Sequence, residues 1–253
     1  MYYDLNFRKF SVSVLAALFL SQQTMLAPVF ATDITNVTGN NGQYNINPEV
    51  VKGGMGFRHY KDFELSKGDI ANLIYGSKYN KFVNLVDTRR NINGIVNTLG
   101  QDGSIYNGHA VFVSPMGMVV GSSGVLNVGS LTAIAPAPMD YLKFTGIYMG
   151  EGYLKTAADN LEIDYSAVTI PGVTDDVNLK LLKESQSVST IDINGKIFAR
   201  GNVELLAKNI NVKGDNNSQA AIFAGIPKQY DEKIATLAQA SNLFDNLVTS
   251  SIK

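Results

Sequence analysis

Residues 111–121 read Val-Phe-Val-Ser-Pro-Met-Gly-Met-Val-Val-Gly. Two apolar runs of β-forming residues, 111–113 and 118–120, flank the four residues Ser114, Pro115, Met116 and Gly117. Pro115 fixes its own φ and Gly117 accepts a positive one, so the chain must bend here. The bend is either a hairpin between antiparallel neighbours or a corner between two successive faces of one winding.

The flanking sequence favours the corner. Apolar β-type runs recur at 82–86, 94–99, 104–106, 110–113, 118–120 and 124–129, each bounded by Gly, Asn or Ser. Ile105 and Val125 are twenty residues apart, with Val111, Val113, Met118 and Val120 as further inward candidates between them. Faces of three to five residues with Gly, Asn or Ser at the bends are what a parallel β-helix needs, with about twenty residues per coil. The texture returns at 191–214, where Ile193, Ile197, Val203, Leu205, Ile210 and Val212 alternate with polar residues, and another coil begins at 220–224.

Between these regions, 136–190 reads as an excursion. It opens with Pro136-Ala-Pro138 and carries Tyr141, Phe144, Tyr148 and Tyr153. Residues 177–184 fit two helical turns, and 161–165 and 168–170 fit returning strands. Residues 229–253, with Ile234, Leu237, Leu243, Phe244 and Leu247 at helical spacing, read as an amphipathic tail or the start of a truncated downstream region.

The chain begins like an exported protein. Arg8 and Lys9 precede an eleven-residue apolar stretch, 10–20, too short to span a bilayer comfortably and suited to a signal-peptide core. Val29 and Ala31 are small residues at the positions three and one before a cut, which places cleavage after Ala31 and leaves 32–228 as the main domain. An uncleaved amino-terminal anchor is the alternative.

Bulk composition excludes several classes. Of 253 residues, 45% are apolar and 17% charged, which is folded and turn-rich rather than helical and charged. A net charge of −1 without a basic run argues against nucleic acid as a partner. With no cysteine there is neither a disulfide nor a thiolate metal site, and no metal or cofactor is expected.

Catalytic patterns are equally sparse. The two histidines, His59 in a polar turn and His109 at a corner, read as exposed structural residues. Ser122-Ser123 lacks nucleophile-elbow spacing. Asp87 with Arg89 and Arg90 reads as a surface ion-pair cluster, and Asp175-Asp176 as a solvated loop. Gly53-Gly-Met-Gly56 lacks both the Asp of a calcium repeat and the Lys-Ser/Thr of a phosphate loop, and reads as a flexible turn. An enzyme is therefore not expected; a β-helical polysaccharide lyase, or another carbohydrate-active β-helix enzyme, is the alternative, and it would need a carboxylate cluster on one face.

Four ordered segments carry a resemblance: 93–100 with Asn93, Gly94 and Asn97; 103–108 ending at Gly108; 111–121 ending at Gly121; and 124–131 with Asn127 and Gly129. Together they resemble the amino-terminal two-partner secretion domain of filamentous-haemagglutinin-type exoproteins, nearest to leukotoxin-like filamentous adhesins. The family has Asn-Pro-Asn-Gly-Ile where this chain has Ser114, Pro115, Met116, Gly117 and Met118. Pro and Gly are kept and both Asn are replaced, so the shape of the turn is supported more than side-chain recognition at 114 and 116. Ser114 can replace the first Asn by accepting a backbone N–H two residues on. The family's upstream Asn-Pro-Asn-Leu motif has no counterpart.

The resemblance implies a right-handed, single-stranded, pectin-lyase-like β-helix with an amino-terminal cap and an extra-helical insertion. It further implies export through the Sec machinery and recognition in the periplasm by an outer-membrane β-barrel transporter with polypeptide-transport-associated domains. The product would be a secreted or cell-surface adhesin of a Gram-negative-type bacterium, a virulence factor whose downstream regions meet host cell surfaces or glycans.

Overall fold

Short β-forming runs between tight turns leave no room for a long element, and the protein, described here as a computed structural model, is accordingly mostly β. The structure describes residues 32–33, 39–40, 42–149, 168, 189–214 and 219–226. The expected leader 1–31, the helical turns at 177–184, the strand at 161–165 and the tail at 229–253 lie outside them.

The chain opens with β1 (Thr32–Asp33), β2 (Gly39–Asn40), β3 (Gln43–Ile46) and β4 (Val50–Lys52). It continues through β5 (Met55–Asp62), β6 (Glu64–Leu65), β7 (Ile70–Tyr75), β8 (Lys81–Val86), β9 (Arg90–Ile92) and β10 (Ile95–Gly100). Then come β11 (His109–Val113), β12 (Met118–Val120), β13 (Val125–Val128) and β14 (Ser130–Ile134). One helix among the described residues, α1 (Pro138–Met149), precedes β15 (Thr190–Ile193), β16 (Lys196–Ala199), β17 (Val203–Leu206), β18 (Asn209–Val212) and β19 (Ala221–Phe223).

From β5 onward the strands enter three sheets in strict rotation. Sheet A runs β5-β8-β11-β14-β17, sheet C runs β6-β9-β12-β15-β18, and sheet B runs β7-β10-β13-β16-β19, every pair parallel. Each strand therefore stacks on the one three elements earlier. The bend at 114–117 joins β11 of sheet A to β12 of sheet C, so it is a corner and not a hairpin.

The repeat is uneven and in most rounds longer than twenty residues, although Ile191 pairs with Ile210 only nineteen residues on. Ile70 pairs with Ile95, and Ile95 with Val125, thirty residues on. His109 pairs with Ser130, only twenty-one residues on. Ile105, the expected partner of Val125, instead makes one antiparallel bridge to Leu99 within the 100–108 loop. The extra length sits in loops outside the sheets, where chain can be added at little entropic cost. The excursion is the extreme case: Met118 finds its next partner at Ile191, and the stack resumes in unbroken register.

Alternation along each strand separates two apolar layers. The inward layer, enclosed by the three sheets, contains Tyr60, Leu73, Phe82, Val96, Phe112 and Leu126. Sheet A also has an apolar outer face of Met55, Phe57, Val83, Leu85, Val111, Val113 and Ile134, and α1 covers it. Pro138 begins that helix, where a missing N–H costs nothing, and Asp140 lies in its first turn beside the positive end of the helix dipole. Tyr141, Phe144 and Tyr148, at i, i+3 and i+7, form its buried face.

In the last described round the pattern loosens. Ile210 and Val212, expected inward, are 43% and 50% exposed because β18 has no described strand beyond it.

Phe144→Ala should lower the unfolding free energy by about 3 kcal/mol in urea titration, because a large buried ring is removed from between helix and sheet. Lys143→Ala, on the exposed side of the same turn, removes only a half-exposed ion pair with Asp140 and should cost less than about 1 kcal/mol.

Candidate functional site

The three corners repeat as columns, and the motif residues fall in them. At the corner from sheet C to sheet B, a Cβ on Gly94 would lie 2.3 Å from Asp69 O, and one on Gly124 would lie 2.1 Å from Ile92 O. In the same column Gly121 packs against the Asn93 side chain, and Ser123 Oγ donates to Asn93 O at 2.8 Å. At the corner from sheet B to sheet A, Gly108 lies under the Tyr75 ring, and a Cβ on Gly129 would meet Asn107 C at 2.4 Å. Asn93, Gly94, Gly108, Gly121 and Gly129 thus stand where successive rounds approach too closely for a side chain on the glycine.

The corner from sheet A to sheet C holds Ser114, Pro115, Met116 and Gly117. Gly117 has φ +86°, and a Cβ there would lie 2.1 Å from Thr190 O of the next round. Ser114 Oγ donates to Thr88 O of the round below at 2.7 Å and accepts the Met116 N–H at 3.1 Å. The expected bond two residues on is present, so serine performs the local turn-capping foreseen for it. Ser114, Pro115, Gly117 and Met118 are buried, and only Met116 is partly open to solvent. The folded corner therefore offers a partner one side chain and little else.

Asn97 and Asn127 belong to a ladder on the outer face of sheet B. Asn72 Nδ2 donates to Asn45 Oδ1 at 3.0 Å, Asn97 Nδ2 to Asn72 Oδ1 at 3.1 Å and Asn127 Nδ2 to Asn97 Oδ1 at 3.0 Å. Arg200 Nη2 closes the row on Asn127 Oδ1 at 2.8 Å. In the fifth position of the register stands Phe198, stacked on Phe223 with ring centroids 5.3 Å apart. Parallel, in-register stacking brings identical amides to hydrogen-bonding distance, which is why Asn recurs.

The charged residues differ from their sequence reading. His59 is fully buried on β5 beneath α1, not exposed in a turn. Its Nε2 lies 2.7 Å from Asp87 Oδ1, and the Tyr141 hydroxyl donates to that oxygen at 2.8 Å. Tyr148 donates likewise to Glu49, which pairs with Arg58 at 3.4 Å. Two tyrosine hydroxyls thus fasten α1 to polar groups beside sheet A. Burial, reinforced by the Asp87 charge, raises the Tyr141 pKa well above that of an ordinary phenol, so the hydroxyl remains a donor.

Asp87, Arg89 and Arg90 do not form one surface cluster. Arg89 reaches across to Asp192 at 2.5 Å, while Arg90 is the largest fully buried side chain among the described residues. Arg90 shares a register column with Met118 and Ile191, so it points inward with the core. Its guanidinium lies 5.4 Å from the Phe112 ring centroid, with Nε 3.4 Å from Gly117 O and Nη2 3.5 Å from Ile134 O. Nη1 has no partner. Burial lowers its pKa to about 9, which leaves it charged at neutral pH.

His109 stands on β11, not at a bare corner, and lies 2.7 Å from Thr132 Oγ1, whose hydroxyl donates to Glu204 at 3.0 Å. Burial first, and Lys81 second, lower its pKa, which favours the neutral ring. Since the one hydroxyl proton goes to Glu204, His109 must donate to Thr132. The order is opposite to the one that activates a nucleophile. Among the described residues, no three His, Asp or Glu side chains gather as metal ligands.

Gly53-Gly54 forms the tight link between β4 and β5, with φ +51° and +76°. The sequence reading missed Ser189, whose positive φ of 40° no residue type advertises. It receives the returning excursion: its Oγ donates to Ala135 O at 2.8 Å and accepts Lys208 N at 2.9 Å. Compared with known proteins, the chain matches no family model, no curated protein and no solved structure.

Gly117→Ala should destabilise the fold by at least about 2 kcal/mol in urea titration, through both its φ and the contact with Thr190. Met116→Ala should cost less than about 1 kcal/mol. Asn97→Ala, which leaves two ladder amides short of a partner, should cost about 1–3 kcal/mol.

Proposed function

We propose that this chain carries the amino-terminal secretion domain of a large exported exoprotein of the two-partner type, folded as a right-handed parallel β-helix with the 136–190 segment as an extra-helical insertion. On this reading the Sec machinery delivers the chain to the periplasm and its leader is removed after Ala31. An outer-membrane β-barrel transporter then engages it through periplasmic polypeptide-transport-associated domains. Under the same reading the domain has no enzymatic activity and no cofactor, and adhesion to cell surfaces or glycans belongs to downstream regions.

The observation that carries the reading is the placement of the family-like segments. Gly94, Gly108, Gly117, Gly121 and Gly129 occupy stacked corners of three parallel sheets, and Asn97 and Asn127 occupy one hydrogen-bonded ladder. A motif spread over nearly forty residues thus corresponds to one repeated geometry. Burial of Ser114, Pro115 and Gly117 adds a constraint on when recognition occurs. A transporter reading this segment would meet it before the stack closes, as an extended β-prone strand able to pair with a sheet edge by main-chain hydrogen bonds.

Expression of the full chain with and without its cognate barrel transporter tests this. The leader should be cleaved after Ala31, with the product in the medium only when the barrel is present and in the periplasm otherwise. Release without the barrel, or retention with it, would overturn the reading.

A further inference from the structure

Arg90 is a full positive charge enclosed by the sheets; among the described residues it has no carboxylate as a hydrogen-bond partner, and its Nη1 is unpartnered. Both carbonyls it approaches are already satisfied. Gly117 O accepts the Arg90 main-chain N–H at 3.3 Å, and Ile134 O accepts the Ser114 N–H at 3.0 Å. The guanidinium contacts, at 3.4 and 3.5 Å, lie at the outer limit of hydrogen bonding. Removing the charge would therefore leave no backbone acceptor orphaned, whereas retaining it requires desolvation of an ion with little return.

The position of the charge fixes when that desolvation occurs. Arg90 opens β9, and the groups that close over it come from later rounds: Phe112 from β11, Gly117 from the corner after it and Ile134 from β14. In a stack built round upon round, β9 can be laid down with Arg90 still in water. The ion begins to lose its hydration when the round bearing the Ser114–Gly117 corner is added, and β14 of the following round completes the enclosure. That step also buries Phe112 and Met118, so it is where the stack becomes committed.

We propose that Arg90 is a folding brake: its unneutralised burial raises the barrier to closing the segment from β11 to β14 over it and prolongs the unfolded state of the chain. The inference rests on the export reading, in which the chain must remain unfolded until it meets the transporter. The brake is passive, since it needs no chaperone and no energy source. It is released once the remaining rounds are free to stack and their apolar burial outweighs the one desolvated ion.

Refolding of the full chain from urea, with a short unfolding pulse so that prolines keep their native isomers, tests the brake. Arg90→Met should refold at least about tenfold faster than the unsubstituted chain, because an uncharged side chain of similar length removes the desolvation cost from the closing step. Arg90→Lys, which keeps the charge, should refold at the original slow rate. Refolding of Arg90→Met within twofold of the original, equal acceleration in Arg90→Lys, or loss of cooperative unfolding in Arg90→Met would each overturn the proposal. Secretion of the unsubstituted chain assayed with and without the barrel separates the two readings: barrel-dependent export alongside an unaccelerated Arg90→Met removes the brake alone, and barrel-independent export removes the function on which it rests.

Discussion

The close approach of one round's backbone to the next at the three corners governs this molecule. Parallel strands stack at about 4.8 Å, and a corner in that stack must turn without pushing its neighbour away. At Gly94, Gly117, Gly124 and Gly129 an added methyl carbon would sit 2.1 to 2.4 Å from an atom of an adjacent round. A single bulky residue at one corner would force the rounds apart where two sheets are joined. The sheets tolerate loops of very different length, from a tight turn at 114–117 to the whole 136–190 excursion, because those loops leave and return at the same stacked points. Ser189 shows how strictly the return is held: it accepts a positive φ without being glycine, while its hydroxyl ties the end of the excursion to the start at Ala135.

The same repetition explains the polar groups that are buried. Where a column carries asparagine, each amide satisfies the next, and a row that would be costly singly becomes self-sufficient from Asn45 to Arg200. Asn84 solves the equivalent problem inside the sheets by accepting the Tyr60 hydroxyl and donating to Phe82 O and Val111 O. Arg90 has no such solution. Its column continues with Met118 and Ile191, neither of which offers an acceptor, so the charge is set against an aromatic face and two occupied carbonyls.

Features that depend on neighbours in sequence were legible, and those that depend on neighbours in space were not. The strands at 82–86, 94–99, 110–113, 118–120 and 124–129, the bends at Gly and Asn and the corner at 114–117 follow from local turn chemistry and alternation, and they stand within a residue or two of where expected, whereas 104–106 is loop. Coil length was misjudged because the apolar pattern marks a face but not the loop beside it, so Ile105 passed for an inward residue when it belongs to the loop at 100–108. The helix at 138–149 was missed although Tyr141, Phe144 and Tyr148 have its period. Aromatics and two prolines read as irregular chain, and only the apolar outer face of sheet A makes a helix favourable there. His59 and Arg90 were assigned to the surface because charge and imidazole usually belong there. The excursion that covers His59 starts almost eighty residues further on, and the rounds that enclose Arg90 follow it in the chain.

The stack is also asymmetric along its length. At the amino-terminal end β2 pairs antiparallel with β3 and β4 with β5, the two-residue β1 lies parallel on the end of β5, and sheet C begins with the two-residue β6, so the first described edges are antiparallel or very short. At the other end β17, β18 and β19 each have a described partner on one side only, and Ile210 and Val212 are open to solvent. Such a structure has a direction: rounds can be added to the carboxy-terminal edges in the order in which the chain supplies them, whereas the described amino-terminal edges end in two-residue or antiparallel strands. A chain arriving amino end first can therefore begin to stack before the rest has appeared. A buried charge in β9 placed early in that order acts on commitment to the stack, whereas the same charge in β18 would act only after most of the apolar burial was complete. For the proposed passage through an outer-membrane partner, the position of Arg90 in the sequence of rounds matters as much as its burial.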